Sequence, residues 1–207
     1  MKSFSRLARA AAPGAALGML AAGLLAACAG TSQIGYTYVS DNYSMNYLRY
    51  AAGRGGMLTE VVGNPFAADK AALDRRVTES FETAHFGPEL PFFTEPPADY
   101  SSSYKVVVLF DAAPSANAAR LCGDAERPQR TAGDGSGTVY VLAAFCSADT
   151  RVTSAGGSVA ASGPDDPGFR SFMNQLSLQL FPPQAPDRND RDSDFFSKRP
   201  FFGAGAG

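Results

Sequence analysis

The sequence predicts an α+β domain, in which a mixed or mostly antiparallel sheet of about five strands carries two main helices packed on one face. Three observations support this fold. Short β-like runs and two helical patterns follow one another along the chain. The later strands are separated by a turn short enough for an antiparallel hairpin. The 207 residues suffice for one domain with tails.

The domain is expected to begin with a hairpin and a helix. Residues 46–52 alternate moderately in hydrophobicity and predict a strand, and residues 57–62 predict a second one after the glycine-rich turn 53–56. Residues 69–84 then predict a helix, because apolar side chains recur at four-residue steps, at Leu73, Val77 and Phe81.

The middle of the chain predicts strands. Residues 104–110 form a continuous apolar run, typical of a strand covered on both faces or strongly on one. A right-handed crossover through the first helix would place this strand beside the opening hairpin. Residues 138–146 and 152–162 predict an antiparallel pair, and the consecutive glycines 156 and 157 suggest a bulge or bend in its second strand.

The second helix has strong start and stop signals. Asp165 and Asp166 precede Pro167, and an Asp N-cap followed by proline at the first helical position favours a helix start. The prolines at 182 and 183 end it. Its buried face is expected to consist of Phe169, Phe172, Met173, Leu176 and Leu180.

The first thirty residues have the layout of an export signal. Positive charges in residues 1–9 precede residues 10–30, which carry no charge. The apolar part ends in Leu25-Ala26-Ala27-Cys28. These four residues resemble the lipobox of bacterial lipoproteins. The resemblance implies a diacylglycerol on the thiol of Cys28, cleavage just before that residue, and often acylation of the freed amine.

Two other interpretations of the leader stay open. Residues 27–29 also fit an Ala-x-Ala cleavage site, which would release a soluble protein. Alternatively, the uncleaved segment would span the membrane as a helix, although its Ala-rich and Gly-rich composition makes insertion weak. The lipobox interpretation divides the chain into a signal peptide at 1–27, a flexible tether at 28–45, one domain at 46–183 and a disordered tail at 184–207.

The lipobox interpretation also predicts a location. Two or three acyl chains on one residue suffice for stable anchoring. The residues after Cys28 are Ala29 and Gly30. An Asp at the first of these positions tends to retain lipoproteins in the enterobacterial inner membrane. Its absence favours the periplasmic face of the outer membrane.

The charge of the mature part argues against some partners. Removing the leader takes three of the 18 cations and leaves 15 against 20 acids, a net charge near −5. A mildly acidic domain without a basic stripe is a poor binder of nucleic acid. Charge alone is equally insufficient to hold it on anionic lipid.

Cysteine usage predicts a disulfide. Besides Cys28, the chain contains Cys122 and Cys146. In the oxidising periplasm two such thiols usually pair. The bridge would close a loop of about 25 residues and stabilise the fold by about 3 kcal/mol in the chain-entropy model. A metal or redox pair is the alternative, but no CxxC motif or nearby histidine accompanies the cysteines.

No residue pattern predicts catalysis, a metal site or a cofactor. His85 is the single histidine and follows a helix, where a hydrogen-bond donor is favourable. Asp165 and Asp166 are adjacent, so capping explains them better than acid–base catalysis. The glycine-rich residues 134–137 precede a strand and lack the phosphate-loop pattern. An enzyme would need groups that only folding brings together, for example Asp111, Arg120 and His85.

Tyrosines suggest a contact surface. They occur at positions 36, 38, 43, 47 and 50, and would serve either ordinary strand pairing or recognition of a glycan or partner protein. The phenylalanine pairs at 195–196 and 201–202 in the tail would be a docking motif or a degenerate terminus.

The sequence therefore favours a lipid-anchored interaction module of the cell envelope, acting on an envelope protein or peptidoglycan through a sheet edge or the tyrosines. The alternative is a periplasmic binder of a small apolar ligand, held between sheet and helices.

Overall fold

The computed structural model describes residues 32–66, 68–123, 127–129 and 137–184. These residues form six strands, three α-helices and a 3₁₀ helix at Ala118–Arg120. The predicted α+β class is confirmed, with one strand and one helix more than expected. The strands are β1 Gln33–Val39, β2 Met57–Val62, β3 Phe92–Phe93, β4 Tyr104–Phe110, β5 Thr138–Ser147 and β6 Thr150–Ala160, and the helices are α1 Asn46–Gly53, α2 Lys70–Thr83 and α3 Pro167–Leu180.

The sheet is mixed, with the strand order β1-β6-β5-β4-β2-β3. The pairs from β1 through β6 and β5 to β4 are antiparallel, whereas β2 is parallel to both β4 and β3. The connection from β2 to its parallel neighbour β4 contains α2, so the 104–110 strand lies beside β2 as expected.

We call the two ends of the sheet the proximal end and the distal end. At the proximal end, β1 begins at Gln33 beside Ser158 of β6. At the distal end, β1 finishes at Val39 beside Thr153, and β4 begins at Tyr104 beside Ser147 of β5. Because α1 follows the last residue of β1, it lies at the distal end.

Strand β4 is covered on both faces, which is one of the two arrangements that its apolar run predicts. Val106, Val108 and Phe110 belong to the core beneath the helices. Val107 and Leu109 alternate with them and join a second apolar cluster on the opposite face. All five side chains are fully buried, because helices cover one face and the chain segment after β4 covers the other.

Helices α2 and α3 bury the faces that their periodicity predicts. In α2 the residues Leu73, Val77 and Phe81 are fully buried. In α3 all five expected core residues are fully buried too. The Asp166 carboxylate accepts a hydrogen bond of 2.8 Å from the Gly168 amide, which confirms the expected N-cap. Asp165 instead forms an ion pair with Arg76 of α2.

The prediction of a strand at 46–52 is wrong, because these residues form helix α1. Leu48 and Ala51 are completely buried, and their three-residue spacing places both on the inner side of a helix. A short, moderately amphipathic segment fits both periodicities, and contacts with the core select the helical one. Residues 54–56 therefore connect a helix to β2, and the predicted opening hairpin does not form.

Strand β1 lies within the range 28–45, for which the sequence predicts a tether. Gln33–Val39 pairs antiparallel with β6, so this stretch is a strand rather than part of a tether. Its side chains alternate between exposed and partly buried positions, since β1 is an edge strand. Because β1 contains polar residues and Gly35, its sequence lacks the strong apolar alternation that predicts a strand and is typical of a linker.

In β6 the register is regular at the two consecutive glycines, and Gly157 permits a close approach of β1. The irregularity lies opposite them, in β1 between Ile34 and Tyr36. A Cβ on Gly157 would lie 1.9 Å from the Gln33 carbonyl oxygen, so only glycine fits there. The pairing of β5 with β6 shifts register elsewhere, between Phe145 and Cys146.

Candidate functional site

The outer side of α1 displays polar, cationic and aromatic side chains at the distal end of the sheet. Asn46, Arg49, Tyr50 and Arg54 are exposed, whereas Leu48 on the inner side is buried. Tyr50 is the most exposed large hydrophobic side chain in the described part of the protein, at 47%. We call these four exposed residues, with Tyr47 and Tyr104 beside them, the Tyr50 surface.

Neighbouring rings hold Tyr50 in place. Its ring meets that of Tyr104 edge to face, with centroids 5.6 Å apart and planes at 89°. The Tyr104 ring also lies 5.3 Å from Tyr47, and both contact the buried Phe145 at 5.9 and 6.3 Å. Such contacts restrict an aromatic side chain, so Tyr50 is presented in a fixed position while nearly half of it stays accessible.

The loop that precedes β4 also holds Tyr104 in position. The Tyr100 hydroxyl donates a hydrogen bond of 2.8 Å to the Tyr104 carbonyl and accepts one of 3.1 Å from the Leu58 amide. Phe93 packs edge to face on Tyr100 at 5.0 Å. These contacts tie the loop before β4 to β2 and β3, so the floor of the Tyr50 surface belongs to the sheet.

Two arginines of the surface lack a carboxylate partner among the described residues. The guanidinium of Arg54 lies 5.1 Å from the Tyr50 ring centroid, and its Nη1 is 3.4 Å from the Ser101 hydroxyl. The Arg49 guanidinium donates a hydrogen bond of 2.9 Å to the Asn46 side chain. Both contacts are with neutral groups, so the positive charges remain available to an anionic ligand.

Burial raises the pKa of Tyr104, and the neighbouring Tyr47 and Tyr50 raise it further. Its hydroxyl therefore stays protonated at neutral pH. The Tyr50 surface presents two arginine cations, tyrosine hydroxyls and an aromatic ring, but no carboxylate from the residues that define it.

The structure does not gather all five tyrosines that the sequence singles out. Tyr43 is buried, and its hydroxyl donates a hydrogen bond of 2.7 Å to the Pro182 carbonyl. Tyr36 and Tyr38 lie on the sheet face opposite the helices, where both contact Arg151. The Arg151 guanidinium donates a hydrogen bond of 2.8 Å to the Tyr36 hydroxyl and lies 3.7 Å from the centroid of the Tyr38 ring. Tyr47 and Tyr50 remain together because both lie on α1. Tyr104, their partner, is too distant in sequence for a local pattern to reveal it.

The predicted disulfide is present in the structure. Cys122 and Cys146 are joined at an S–S distance of 2.05 Å and are fully buried. They lie in the second apolar cluster with Leu109 and Leu121. The bridge therefore fastens the segment that follows β4 onto β5. Cys28 lies outside the described residues, as do residues 1–31 and 185–207 with both tail phenylalanine pairs.

A three-residue ion cluster on the disulfide side of the sheet is not evident from the sequence. The Glu60 carboxylate accepts hydrogen bonds from Lys105 and Arg127, each at 2.9 Å. Arg127 also donates to the Leu121 carbonyl at 3.0 Å. Glu60 and Lys105 are 45 residues apart and meet only because β2 pairs with β4. The cluster links a half-buried part of the sheet to the segment beside the disulfide, which is a structural role.

His85 has the structural environment that its position predicts. Its Nδ1 lies 2.7 Å from the Phe81 carbonyl oxygen, and its Nε2 lies 2.9 Å from that of Pro88. The ring thus fastens the end of α2 to the loop that follows. Asp111 follows β4 and Arg120 lies in the 3₁₀ helix near the opposite face. His85 packs against Phe92 and Phe181 of the helix-side core, so folding does not assemble this trio.

The described residues contain neither a metal-binding cluster nor a helix that could cross a membrane. No group of three or more His, Cys, Asp or Glu in this part of the chain is arranged to hold a metal ion. No helix there combines the length and hydrophobicity needed to cross a bilayer. The glycine-rich residues 134–136 lie outside the described part.

Comparisons with known proteins give a distant structural neighbour. No protein-family model matches the sequence, and no curated protein matches it. The chain is similar to a solved structure of the PelC dodecamer from Paraburkholderia phytofirmans, with 14% sequence identity and a TM-score of 0.35. The match covers 76% of this chain and 99% of that chain. A similarity at this level does not assign a function to the chain.

Proposed function

We propose that this chain is a membrane-anchored periplasmic lipoprotein that acts as a non-catalytic interaction module of the cell envelope. Residues 25–28 support the anchor, because they resemble a lipobox and follow a basic and then an apolar segment. The observation that carries the interaction role is Tyr50, a fixed aromatic ring that is 47% exposed beside two arginines without a carboxylate partner in the described structure.

The position of the proposed lipid relative to this surface supports the same role. Gln33 starts β1 five residues after Cys28, and five extended residues span at most about 18 Å. The proximal end of the sheet would therefore stay close to the membrane. The seven residues of β1 extend for about 20 Å toward the distal end. The Tyr50 surface would thus point away from the anchoring bilayer, toward the periplasm.

Packing between sheet and helices favours an interaction role over binding of an apolar ligand there. Six phenylalanines are among the largest fully buried side chains of the domain. Five of these rings contact one another or the neighbouring aromatic rings, for example Phe145 and Phe181 at 5.4 Å and Phe110 and Phe169 at 5.9 Å. Side chains already occupy the layer in which such a ligand would have to bind.

The anchor is tested by metabolic labelling with palmitate and by the variant Cys28→Ser. We expect the wild-type protein to incorporate label and to fractionate with membranes, and the variant to do neither. Mass spectrometry of the mature N-terminus should find a lipid-modified cysteine. Unlabelled wild-type protein, or unchanged membrane fractionation of the variant, would contradict the anchor.

The interaction role is tested with the purified full-length protein in detergent, which masks the anchor. We expect it to sediment with detergent-washed cell envelope, and Tyr50→Ala to weaken binding about tenfold, within the range of an aromatic contact. Tyr50→Phe keeps the ring and should retain most of the binding. Phe86→Ala removes another exposed ring, at 45%, and serves as the matched control. Equal binding by wild type and Tyr50→Ala would contradict a role for this surface.

A further inference from the structure

The chemistry of the Tyr50 surface indicates what kind of partner it fits. The Tyr50 side chain is 47% exposed and offers apolar ring area next to a hydroxyl group. Sugar rings are complementary, because their C–H groups form an apolar face while their hydroxyls surround it. Tyr50 is rigidly placed by Tyr104, so little conformational entropy would be lost when a sugar stacks on it.

Arg49 and Arg54 indicate that the ligand of the Tyr50 surface carries negative charge. Residues 46–54 contain Arg49 and Arg54 but no Asp or Glu, although the mature part has a net charge near −5, from 15 cations and 20 acids. Asp99 lies two residues before Ser101, yet none of the ion pairs among the described residues joins it to Arg54. Guanidinium groups pair with carboxylates through two parallel hydrogen bonds. A neutral glycan would leave both of these cations unused.

The position of the surface limits where such a ligand is found. If Cys28 is lipidated, the short connection to Gln33 holds the proximal end of the sheet near the bilayer. The Tyr50 surface lies at the distal end, beside the start of β4. An anionic lipid headgroup of the anchoring membrane has the required charge but lies at the other end of the molecule.

From these observations we infer that the Tyr50 surface binds a glycan that carries carboxylates, the chemistry of peptidoglycan strands with their peptide stems. This inference rests on the proposed function. Tyr50 stacks on a sugar ring, and Arg49 and Arg54 pair with carboxylates on either side of it. The Asn46 amide, now bonded to Arg49, is placed to exchange that bond for a sugar hydroxyl.

The test is sedimentation of the full-length protein in detergent with protein-free peptidoglycan sacculi. We expect binding at low salt that weakens as salt is added, since exposed charge pairs are screened. Tyr50→Ala should weaken it about tenfold and Tyr50→Phe by less than about threefold. Arg49→Ala and Arg54→Ala should each weaken it about threefold. Arg75→Ala, an exposed arginine on α2, is the matched control and should bind as wild type.

A competition assay with soluble fragments identifies which chemical groups of the ligand the protein binds. A soluble disaccharide–peptide fragment with free carboxylates should compete for the protein, and the same fragment with amidated carboxylates should compete about tenfold less well. An uncharged N-acetylglucosamine oligomer should resemble the amidated fragment. Equal competition by all three would overturn the carboxylate requirement and with it the inference.

The outcomes separate this inference from the proposed function. If washed envelope binds through Tyr50 but purified sacculi do not, the glycan inference fails and the interaction role stands. If anionic phospholipid vesicles bind and sacculi do not, the ligand is a membrane and the inference is overturned. If neither sacculi nor washed envelope binds, both proposals fail.

Discussion

The hydroxyl of Tyr43 donates a hydrogen bond of 2.7 Å to the carbonyl oxygen of Pro182, across 139 residues of sequence. Tyr43 lies between β1 and α1, and Pro182 lies two residues beyond α3. This bond ties the first and last elements of the domain together at the distal end, close to the helix that carries the Tyr50 surface.

Tyr43→Phe is expected to lower the free energy of unfolding by about 1 kcal/mol, because a carbonyl in a partly buried site loses its donor. Burial also raises the pKa of Tyr43 to about 12. The stabilisation that the protonated Tyr43 hydroxyl provides is therefore complete below the ordinary tyrosine pKa of 10.0, and it is lost as the pH rises through the native pKa of about 12. Urea denaturation at pH 7, 10 and 11 should show the wild type losing its advantage over the variant. A constant difference would contradict the assignment.

Asp166→Ala should remove the N-cap of α3 at a cost of about 1 kcal/mol. Hydrogen bonds from the Ser162 and Gly168 amides lower the pKa of Asp166 below its usual 3.8. The stabilisation is present above that ordinary value and disappears as the pH falls through the lower native one. We expect the stability difference between wild type and variant to shrink in urea titrations below about pH 4. Asp165→Ala is the control: its carboxylate is exposed, and little change is expected.

Replacing both Cys122 and Cys146 by Ala should lower stability by about 3 kcal/mol, since the bridge closes a loop with a sequence separation of 24 residues. Reductant should destabilise the wild type by a similar amount and leave the double variant unaffected. Urea denaturation with and without reductant measures both effects. A wild type whose midpoint ignores reductant after thiol titration has verified reduction would contradict the stabilising role.

Gly157→Ala should destabilise the pairing of β1 with β6 by about 1–3 kcal/mol, because the new methyl group would meet the Gln33 carbonyl oxygen. Gly35→Ala, in β1 itself, is the matched control, since nothing lies within 4 Å of a Cβ there. Urea denaturation gives the loss, and hydrogen exchange should locate it in β1. Equal stabilities of the two variants would show that β1 does not approach β6 as closely as described.

The sequence predicted an element correctly where the residues of that element determine its structure by themselves. The continuous apolar run of β4 predicted a strand without knowledge of its neighbours, because so hydrophobic a strand is expected to be covered on both faces or strongly on one. Helices α2 and α3 likewise carry periodic apolar faces, and Asp166 with Pro167 marks a helix start by local hydrogen bonding. The disulfide followed from the number of cysteines and the expected compartment.

The sequence predicted the wrong structure where contacts with another element of the fold determine it. The segment containing Tyr47 and Tyr50 is short and moderately amphipathic, so burial of Leu48 and Ala51 against the core selects the helix. Strand β1 has weak hydrophobicity of its own and is held by hydrogen bonds to β6, more than a hundred residues later. Such pairing cannot be recognised from either segment by itself.

The sequence by itself determined the fold class, the cores of β4, α2 and α3, and the pair of cysteines available for a bridge, because each depends on composition or local periodicity. The tertiary structure alone decided that Tyr36 and Tyr38 separate from Tyr47 and Tyr50, and that Tyr104 joins the latter two. The physical reason is that a surface of this kind is built from side chains on different elements. Their proximity depends on strand order and helix placement, which are set by the free energy of the whole core.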